Sequence, residues 1–210
     1  MFLITYNAMI CTAESLEKLL QQTLSEARSA HSRRVAELAA ELCLAHGSDA
    51  EKGRLAGLAH DLAREMSGEN LAGLALRDGR EISVLEARTP VLLHGRAAVT
   101  MLREELGIED AEILEAVSCH VTGCPGMGLL AKIIFVADYL EPGRGFMTEA
   151  DRRAVLAKDI DGMVIFVLEE IFAYLHSKGR PIVKAALELH YSLSGRRWPS
   201  GELGRKNGSS

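Results

Sequence analysis

Leu55–Arg64 reads LAGLAHDLAR and carries the strongest structural signal in the chain. Its three leucines, Leu55, Leu58 and Leu62, recur at the three-to-four-residue spacing that marks the buried face of a helix. The adjacent pair His60–Asp61 lies in the middle of this predicted helix. An imidazole and a carboxylate among leucines are costly to bury without partners, whereas a metal ion would bind both. The stretch therefore predicts a metal site inside a helical protein.

The composition is that of a helical, mildly acidic protein. Apolar residues make up 48% of the 210 residues and aromatic residues only 5%. Alanine, leucine and glutamate, which favour helices, are abundant. The formal net charge of -5 argues against a protein that coats nucleic acid. The opening segment MFLITYNAMICTA lacks a basic region and is too short to span a bilayer, so no membrane partner is expected.

The four cysteines, Cys11, Cys43, Cys119 and Cys124, follow no regular framework. Reduced thiols and a cytoplasmic location are therefore expected. Cys119 and Cys124 flank His120, which suggests zinc, but the chain has no second pair of closely spaced cysteines. We interpret both as ordinary core and loop residues.

Hydrophobic periodicity predicts helices along most of the chain and no strand, which indicates a single all-α domain. The glycine-rich tail, residues 196–210, is predicted to be disordered. The predicted helices are Ser15–Leu24, Arg28–His46, Ala50–Met66, a short helix within Ser67–Asp78, Val91–Leu106, Ala111–Val121, Leu129–Leu140, a helix from Thr148 to about Lys158, Gly162–Leu175 and Pro181–Leu193.

Six polar residues lie on or beside the inward stripes of these helices: His31, His60, Asp61, His94, His120 and Asp138. Mixed imidazole and carboxylate ligands suit iron(II), manganese or zinc better than calcium or magnesium. One ion could be bound by the first three residues together with Asp138. A second could share Asp61 with His94 and His120. Two ions about 3.5–4 Å apart form the usual clamp for phosphoryl hydrolysis.

The order of these residues, H…HD…H…H…D, resembles that of the HD-domain phosphohydrolases and, more closely, that of the YqeK family. The resemblance runs in order through AHSRRVAELAAELC, AGLAHDLAR, VLLHGRAAV, EAVSCHVTG, KIIFVADYLEPGR and YLHSKGRPI, and it covers Leu16–Tyr191. It implies an HD-domain helical bundle over residues 15–195, which includes the C-terminal helices. Residues 1–14 would form an N-terminal extension with no counterpart in the family.

The resemblance also implies an activity. YqeK proteins resemble symmetrical bis(5'-nucleosyl)-tetraphosphatases. These enzymes cut diadenosine tetraphosphate into two ADP molecules and use bound iron. By this analogy all six residues would be ligands of one or two ions, iron or another divalent transition metal such as manganese. Asp61 or Asp138 could also accept the proton of the attacking water. Five further residues are expected near the substrate, with Arg64 counted as catalytic as well: Arg28, Arg64, Arg96, Thr122 and Arg144.

Other functions fit the same residues. The protein could be an HD phosphohydrolase of another nucleotide, such as a nucleoside monophosphate, a deoxynucleoside triphosphate or an alarmone. It could also be a nucleotide-sensing module that binds metal but turns over slowly. Taken alone, His60–Asp61 could be a satisfied structural pair, and Asp138 a carboxylate bonded to a nearby arginine. The presence of all six candidate ligands favours an enzyme, and the amphipathic C-terminal helices would suit a homodimer.

Overall fold

Residues 14–199, which a computed structural model describes, fold into α-helices joined by short turns. No β-strand occurs among these residues, which confirms the predicted all-α class. Most of the predicted extension and tail, residues 1–13 and 200–210, lies outside the described residues. The helices are α1 (residues 14–23), α2 (Glu26–Ala45), α3 (Ala50–Ala59), α4 (Gly68–Ala75), α5 (Val84–Arg88), α6 (His94–Leu106), α7 (Ala111–Cys119), α8 (Leu129–Leu140), α9 (Glu149–Leu156), α10 (Ile160–Ser177) and α11 (Lys184–Ser194), with 3-10 turns at Leu76–Asp78 and Pro90–Leu93.

Short polar side chains determine where several helices begin. Ser25, Asp49, Asp110, Thr148 and Asp159 each accept a hydrogen bond from a backbone N–H in the first turn of the helix that follows. These caps satisfy amide groups that have no partner inside the helix. The observed starts of α2, α3, α7 and α10 consequently lie within two residues of the predicted ones.

The centre of the protein is built from α2, α3 and α8. Helices α2 and α3 approach very closely at Gly57, where an added Cβ would lie 2.5 Å from the Cα of Ala36. Helix α8 is buried through Leu130, Ile133 and Ile134, each no more than 3% exposed, so this face of the helix packs into the core. This packing brings the ends of all three helices to one place in the interior.

Helix α3 ends at Ala59, so the pair His60–Asp61 lies in a tight turn after the helix and not in its middle as predicted. The turn continues through hydrogen bonds between residues three apart, from Leu62 N to Ala59 O at 3.1 Å and from Arg64 N to Asp61 O at 2.8 Å. Such a turn is tighter than an α-helix and changes the angle between neighbouring side chains.

Helix α7 likewise ends at Cys119, one residue before His120, whereas the sequence predicts that it continues to Val121. Cys119 and Cys124 form a disulfide across the turn that follows, while Cys43 is a free, buried thiol. The expectation of reduced thiols is therefore wrong for this pair. The two Cα atoms are 5.4 Å apart. The fold of the turn creates this short distance, which the sequence spacing does not reveal.

The C-terminal helices pack over one side of this centre. The rings of Phe172, His190 and Trp198 lie together, with the Phe172 and Trp198 centroids 5.2 Å apart. The first residues of the predicted tail thus contact the domain. The segment from Pro181 to Val183 is not helical, although the sequence predicts it as the first turn of α11. No helix within residues 14–199 has the length and apolar character needed to cross a membrane.

Candidate metal centre

The structure brings all six predicted ligands into one cluster. Helix α2 contributes His31, the turn after α3 contributes His60 and Asp61, α6 begins with His94, His120 follows α7, and Asp138 lies in the last turn of α8. The four histidines and Asp61 are at most 5% exposed. The side chain of Asp138 is 26% exposed and faces the opening of the cluster. Residues far apart in sequence therefore converge on one buried point.

Asp61 lies at the middle of the cluster, with one carboxylate oxygen toward each half. Its Oδ1 atom lies 3.1 Å from His94 Nε2 and 3.8 Å from His120 Nε2. Its Oδ2 atom lies 3.4 Å from His60 Nε2 and 3.7 Å from His31 Nε2. This arrangement suits a carboxylate that bridges two cations.

Asp138 completes the half of the cluster that contains His31 and His60. Its Oδ1 atom lies 3.0 Å from His31 Nε2 and 3.7 Å from His60 Nε2. The ligand atoms of these three residues fall within 4.8 Å of one another, and so do those of His60, Asp61 and His120. The structure thus contains two overlapping groups that could each hold an ion.

The backbone determines which nitrogen of three histidine rings carries hydrogen. Each ring donates from Nδ1 to the carbonyl three residues earlier: His60 to Gly57 at 2.7 Å, His94 to Val91 at 2.5 Å and His120 to Val117 at 2.8 Å. A carbonyl oxygen can only accept, so the Nε2 atom of each neutral ring carries a lone pair. All three lone pairs point toward Asp61.

These lone pairs have no adequate partner in the protein. The Nε2 atoms of His31 and His60 are buried without a hydrogen-bond partner. The Nε2 atoms of His94 and His120 are 2.8 Å apart, a contact that requires a proton or a cation between two lone pairs. Leaving buried polar atoms unpaired is costly. Divalent cations would satisfy all four imidazoles, so the residues fit a metal centre.

His31 differs from the other histidines because its Nδ1 atom donates to a carboxylate, Glu141 Oε1, at 3.0 Å. Glu141 is 1% exposed, and its Oε2 atom accepts from Arg34 Nε at 2.6 Å and from Gly143 N at 2.5 Å. Burial raises the pKa of Glu141, but the bonds from Arg34 and His31 outweigh it and lower the pKa to about 2. A carboxylate behind a histidine ligand orients the ring and increases its basicity.

Glu141 is a functional candidate that the sequence reasoning overlooked. In the sequence it stands only as part of the motif KIIFVADYLEPGR. A carboxylate that directly follows the apolar run of α8, three residues after Asp138, was an available signal. The distance of 110 residues between His31 and Glu141 hid their contact.

Asp61, Asp138 and His120 hold the protonation states that bind metal, and His60 does not. Burial lowers the pKa of His60, but the charges of Asp61 and Asp138 outweigh it and raise the pKa to about 8, so a cation that binds this ring displaces a proton. Burial raises the pKa of Asp61, but the surrounding His60, His120 and His94 hold it below its ordinary value. Burial also raises the pKa of Asp138, but the adjacent His31 together with the charges of His60 and His120 lowers it below its ordinary value. Burial lowers the pKa of His120 to about 4, so this ring is neutral at pH 7. Ionised carboxylates and neutral imidazoles are the forms that bind divalent cations.

Three of the predicted arginines lie at the open side of the cluster. Arg28 Nη1 is 2.9 Å from Asp61 Oδ2, and Arg144 Nη2 is 2.6 Å from Asp138 Oδ1. Arg64 Nε is more distant, at 3.8 Å from Asp61 Oδ1. All three line a cavity of about 220 Å³ that leads to the cluster. Guanidinium groups in this position are suited to binding phosphate oxygens.

The structure does not bring the other two predicted substrate residues to the cluster. Arg96 is buried and forms two hydrogen bonds to Asp78, at 2.7 and 2.9 Å, with further bonds to the carbonyls of Ala75 and Arg80. These contacts give it a structural role in the fold. Thr122 donates its hydroxyl to the next carbonyl at 3.2 Å and lines an apolar pocket beside the metal cavity.

Comparison with known proteins shows the family to which the chain belongs. Residues 28–143 match the HD domain family. The chain is 34% identical to the symmetrical bis(5'-nucleosyl)-tetraphosphatase of Halalkalibacterium halodurans, over 84% of this chain and 94% of the relative. It is 31% identical to the protein of the same name from Bacillus subtilis, over 78% and 87%. A solved structure from Clostridium acetobutylicum, described as a predicted HD superfamily hydrolase involved in NAD metabolism, is similar with a TM-score of 0.83 and 32% identity, over 88% of this chain and 98% of that one.

Proposed function

Because the chain belongs to the HD-domain family and, within it, to the symmetrical bis(5'-nucleosyl)-tetraphosphatases, we propose that it hydrolyses diadenosine tetraphosphate and related dinucleoside tetraphosphates into two nucleoside diphosphates. One observation carries this proposal beyond the family likeness. The Nε2 atoms of His31 and His60 are buried beside Asp61 without a hydrogen-bond partner, and those of His94 and His120 face each other at 2.8 Å. Such a centre is built to bind cations, and arginines line its entrance.

The HD domain implies a divalent metal, and the six clustered residues would supply its ligands. We propose iron(II), with manganese as an alternative, because mixed imidazole and carboxylate ligands suit both. Bound cations of this kind polarise a phosphate and lower the pKa of an attacking water. Two ions that share Asp61 would use every ligand of the cluster.

The chain's own side chains have separate tasks in this proposal. Arg28, Arg64 and Arg144 would bind the phosphate oxygens and compensate the charge of the departing nucleoside diphosphate. Asp138 is better placed than Asp61 to accept the proton of the water, because its side chain is 26% exposed against 4% for Asp61. Arg64, whose Nε atom lies 3.8 Å from Asp61 Oδ1, would place its positive charge next to the reacting phosphate.

The test is product analysis. Protein loaded anaerobically with iron(II) is incubated with diadenosine tetraphosphate, and the nucleotides are separated by chromatography. ADP is expected as the sole nucleotide product. Equal amounts of ATP and AMP would contradict symmetrical cleavage, and release of inorganic phosphate from other nucleotides would favour a different HD phosphohydrolase. NAD is included as a substrate because the similar Clostridium acetobutylicum protein is described in terms of NAD metabolism.

Two further expectations stay predictions. The homodimer suggested by the amphipathic C-terminal helices is tested by light scattering of the full chain. A cytoplasmic location is consistent with a nucleotide substrate, but the Cys119–Cys124 disulfide removes the reduced-thiol argument for it. Cell fractionation would decide the location.

A further inference from the structure

The disulfide between Cys119 and Cys124 spans one of the candidate metal ligands. His120 directly follows Cys119, and the bridge closes the turn that runs from His120 to Gly123. The metal chemistry proposed above makes no use of the two sulfur atoms. A bridge over so short a loop removes little entropy from the unfolded chain, so its main effect is local. The bridge therefore restrains a turn that carries a ligand.

His120 is held by α7 on one side and by this turn on the other. Its Nδ1 atom donates to the carbonyl of Val117 in α7 at 2.8 Å, and its Nε2 atom faces His94 Nε2 at 2.8 Å. The backbone of the turn adds a hydrogen bond from Gly123 N to Cys119 O at 2.8 Å. The disulfide is the covalent link between the end of α7 and the far end of the turn. A displacement of the turn would consequently shift His120 relative to His94.

The two sulfur atoms differ in their access to solvent. Cys119 is 5% exposed at the end of α7, whereas Cys124 is half-buried and lines a pocket of about 410 Å³. The six candidate ligands do not line this pocket. Thiol–disulfide exchange requires that the attacking thiol reach one sulfur of the bond. The pocket gives access to Cys124 from the side away from the metal centre.

The packing around the turn determines how it would respond to reduction. Two thiols cannot approach as closely as two bonded sulfur atoms, so the sulfurs must separate when the bond breaks. Cys119 is fixed by α7, in which Val117 is fully buried, so Cys124 has to move. Gly123 packs so closely against α11 that an added Cβ would lie 2.4 Å from Leu189 Cδ2. The turn therefore cannot move inward and has to move toward solvent.

Resting on the proposed function and its metal centre, we propose that Cys119 and Cys124 form a reversible redox site that sets the metal affinity of His120. A reducing dithiol attacks the Cys124 sulfur, breaks the bond and releases Cys119, which takes up a proton. The second thiol of the reductant then attacks the mixed disulfide and releases Cys124 as a thiol. Both electrons come from the reductant, which leaves as a disulfide.

The two redox states differ in how firmly the turn holds His120. In the oxidised state the ring stays beside Asp61 and His94, where its Nε2 atom can bind a cation. In the reduced state the turn is released on its solvent side, and the imidazole is held only by its bond to α7. Groups that orient a ligand contribute roughly 10- to 100-fold to metal affinity. Oxidising conditions would therefore favour the metal-loaded enzyme.

The test uses the variant Cys11→Ser/Cys43→Ser, which retains only the bridged pair of cysteines. Manganese(II) is the probe, since the phosphine used as reductant does not change its oxidation state. The oxidised and the reduced protein, each freed of reagents, are titrated with manganese in competition with a chelator. The reduced form is expected to bind manganese about tenfold more weakly, and reoxidation should restore the affinity. Equal affinities of the two forms would overturn the proposal.

Cys119→Ser/Cys124→Ser is the complementary variant. It should bind manganese with the affinity of the reduced protein, whether or not the reductant has been applied. A redox response that persists in this variant would assign the effect to other cysteines and overturn the proposal.

Thiol trapping tests the site in the wild-type chain. The native protein is treated with a small dithiol, alkylated and analysed by peptide mass spectrometry. Labelling of Cys119 and Cys124 without denaturant is expected. A bridge that is reduced only after unfolding would be purely structural and would overturn the proposal. These measurements use no nucleotide, so a failure to cleave diadenosine tetraphosphate would count against the proposed function alone.

Discussion

His94 and Arg96 lie two residues apart on α6, yet their side chains enter two buried polar clusters of opposite character. Arg96 uses all its donors on protein acceptors: Asp78, Glu86, and the carbonyls of Ala75, Arg80 and Glu81. The Nε2 atom of His94 lies 2.8 Å from His120 Nε2 and 3.1 Å from Asp61 Oδ1. Burial of a charged group therefore does not by itself indicate function. A cluster of buried imidazole nitrogens that face one another and a carboxylate does indicate a missing ligand.

The Arg96 cluster and the histidine cluster also differ in how their central carboxylates, Asp78 and Asp61, are stabilised. Burial raises the pKa of Asp78, but hydrogen bonds from Arg96 and Arg80 hold it well below its ordinary value. That cluster is complete without any ligand, and it ties the loop after α4 to α6. In the candidate metal centre burial raises the pKa of Asp61 and His60, His120 and His94 lower it, while the Nε2 atoms of His31 and His60 are buried without a hydrogen-bond partner. Its completion requires something from outside the chain.

The largest effect is expected for Asp61→Asn in the metal centre. Asparagine keeps the shape of the side chain but loses the negative charge that would bridge two ions. We expect hydrolysis of diadenosine tetraphosphate to fall about a thousandfold or more, with loss of bound metal measured by mass spectrometry of the elements. Asp78→Asn is the matched control from the Arg96 cluster and should retain its metal. Full metal content and activity in Asp61→Asn would remove Asp61 from the centre.

Arg96→Ala should affect stability instead of metal binding. It removes a buried side chain and leaves the half-buried Asp78 without its main partner, so the free energy of unfolding should fall by about 3 kcal/mol. Urea denaturation measures this change, and metal content per folded protein should equal that of the wild type. An unchanged midpoint combined with weaker nucleotide binding would instead assign Arg96 to the substrate, as the sequence predicts.

Glu141→Gln tests the carboxylate behind His31. The amide retains an acceptor oxygen but lacks the charge that makes the imidazole a stronger ligand, so metal affinity should fall by roughly 10- to 100-fold. Competition with a chelator for manganese measures the affinity. Glu86→Gln, which alters a contact of Arg96, is the control. Equal losses in both variants would mean that Glu141 acts through general stability.

The smallest effect on stability is expected for Arg64→Ala. The Arg64 side chain is 34% exposed and lies 3.8 Å from Asp61 Oδ1, so the free energy of unfolding should change by less than about 0.5 kcal/mol. The value of kcat/KM for diadenosine tetraphosphate should nevertheless fall by roughly fivefold, since a phosphate contact is lost. Steady-state kinetics and urea denaturation on the same preparation separate the two effects. A loss of stability as large as that of Arg96→Ala would place Arg64 in the structural group.

The candidate ligands could be found from the sequence because they are polar residues on the inward faces of predicted helices. His31, His60 and Asp138 place imidazoles and a carboxylate on the inward faces of predicted helices. Burying such groups in a purely apolar core costs free energy. Their recurrence on several helices already indicated a common site. The ends of α3 and α7 were predicted too late, because neither Ala59 nor Cys119 is followed by a glycine or proline that would signal a stop.

Arg96 and Glu141 show where sequence reasoning fails. Arg96 is expected near the substrate because arginine suits phosphate oxygens, but residues two apart on a helix, such as His94 and Arg96, point in different directions. Glu141 was overlooked because its partners, His31 and Arg34, lie more than 100 residues earlier in the chain. In both cases the partner of the side chain determines its role.

The sequence by itself determined the all-α class, the capped starts of the helices, and the set of polar residues too costly to bury alone. Periodicity and capping depend on residues only a few positions apart, so both can be recognised in the sequence. Only the tertiary structure decided which buried charges are satisfied and which are left for a ligand, and where an apolar pocket meets the metal cavity. Hydrogen-bond satisfaction and cavity shape depend on residues that are distant in sequence and meet only after folding.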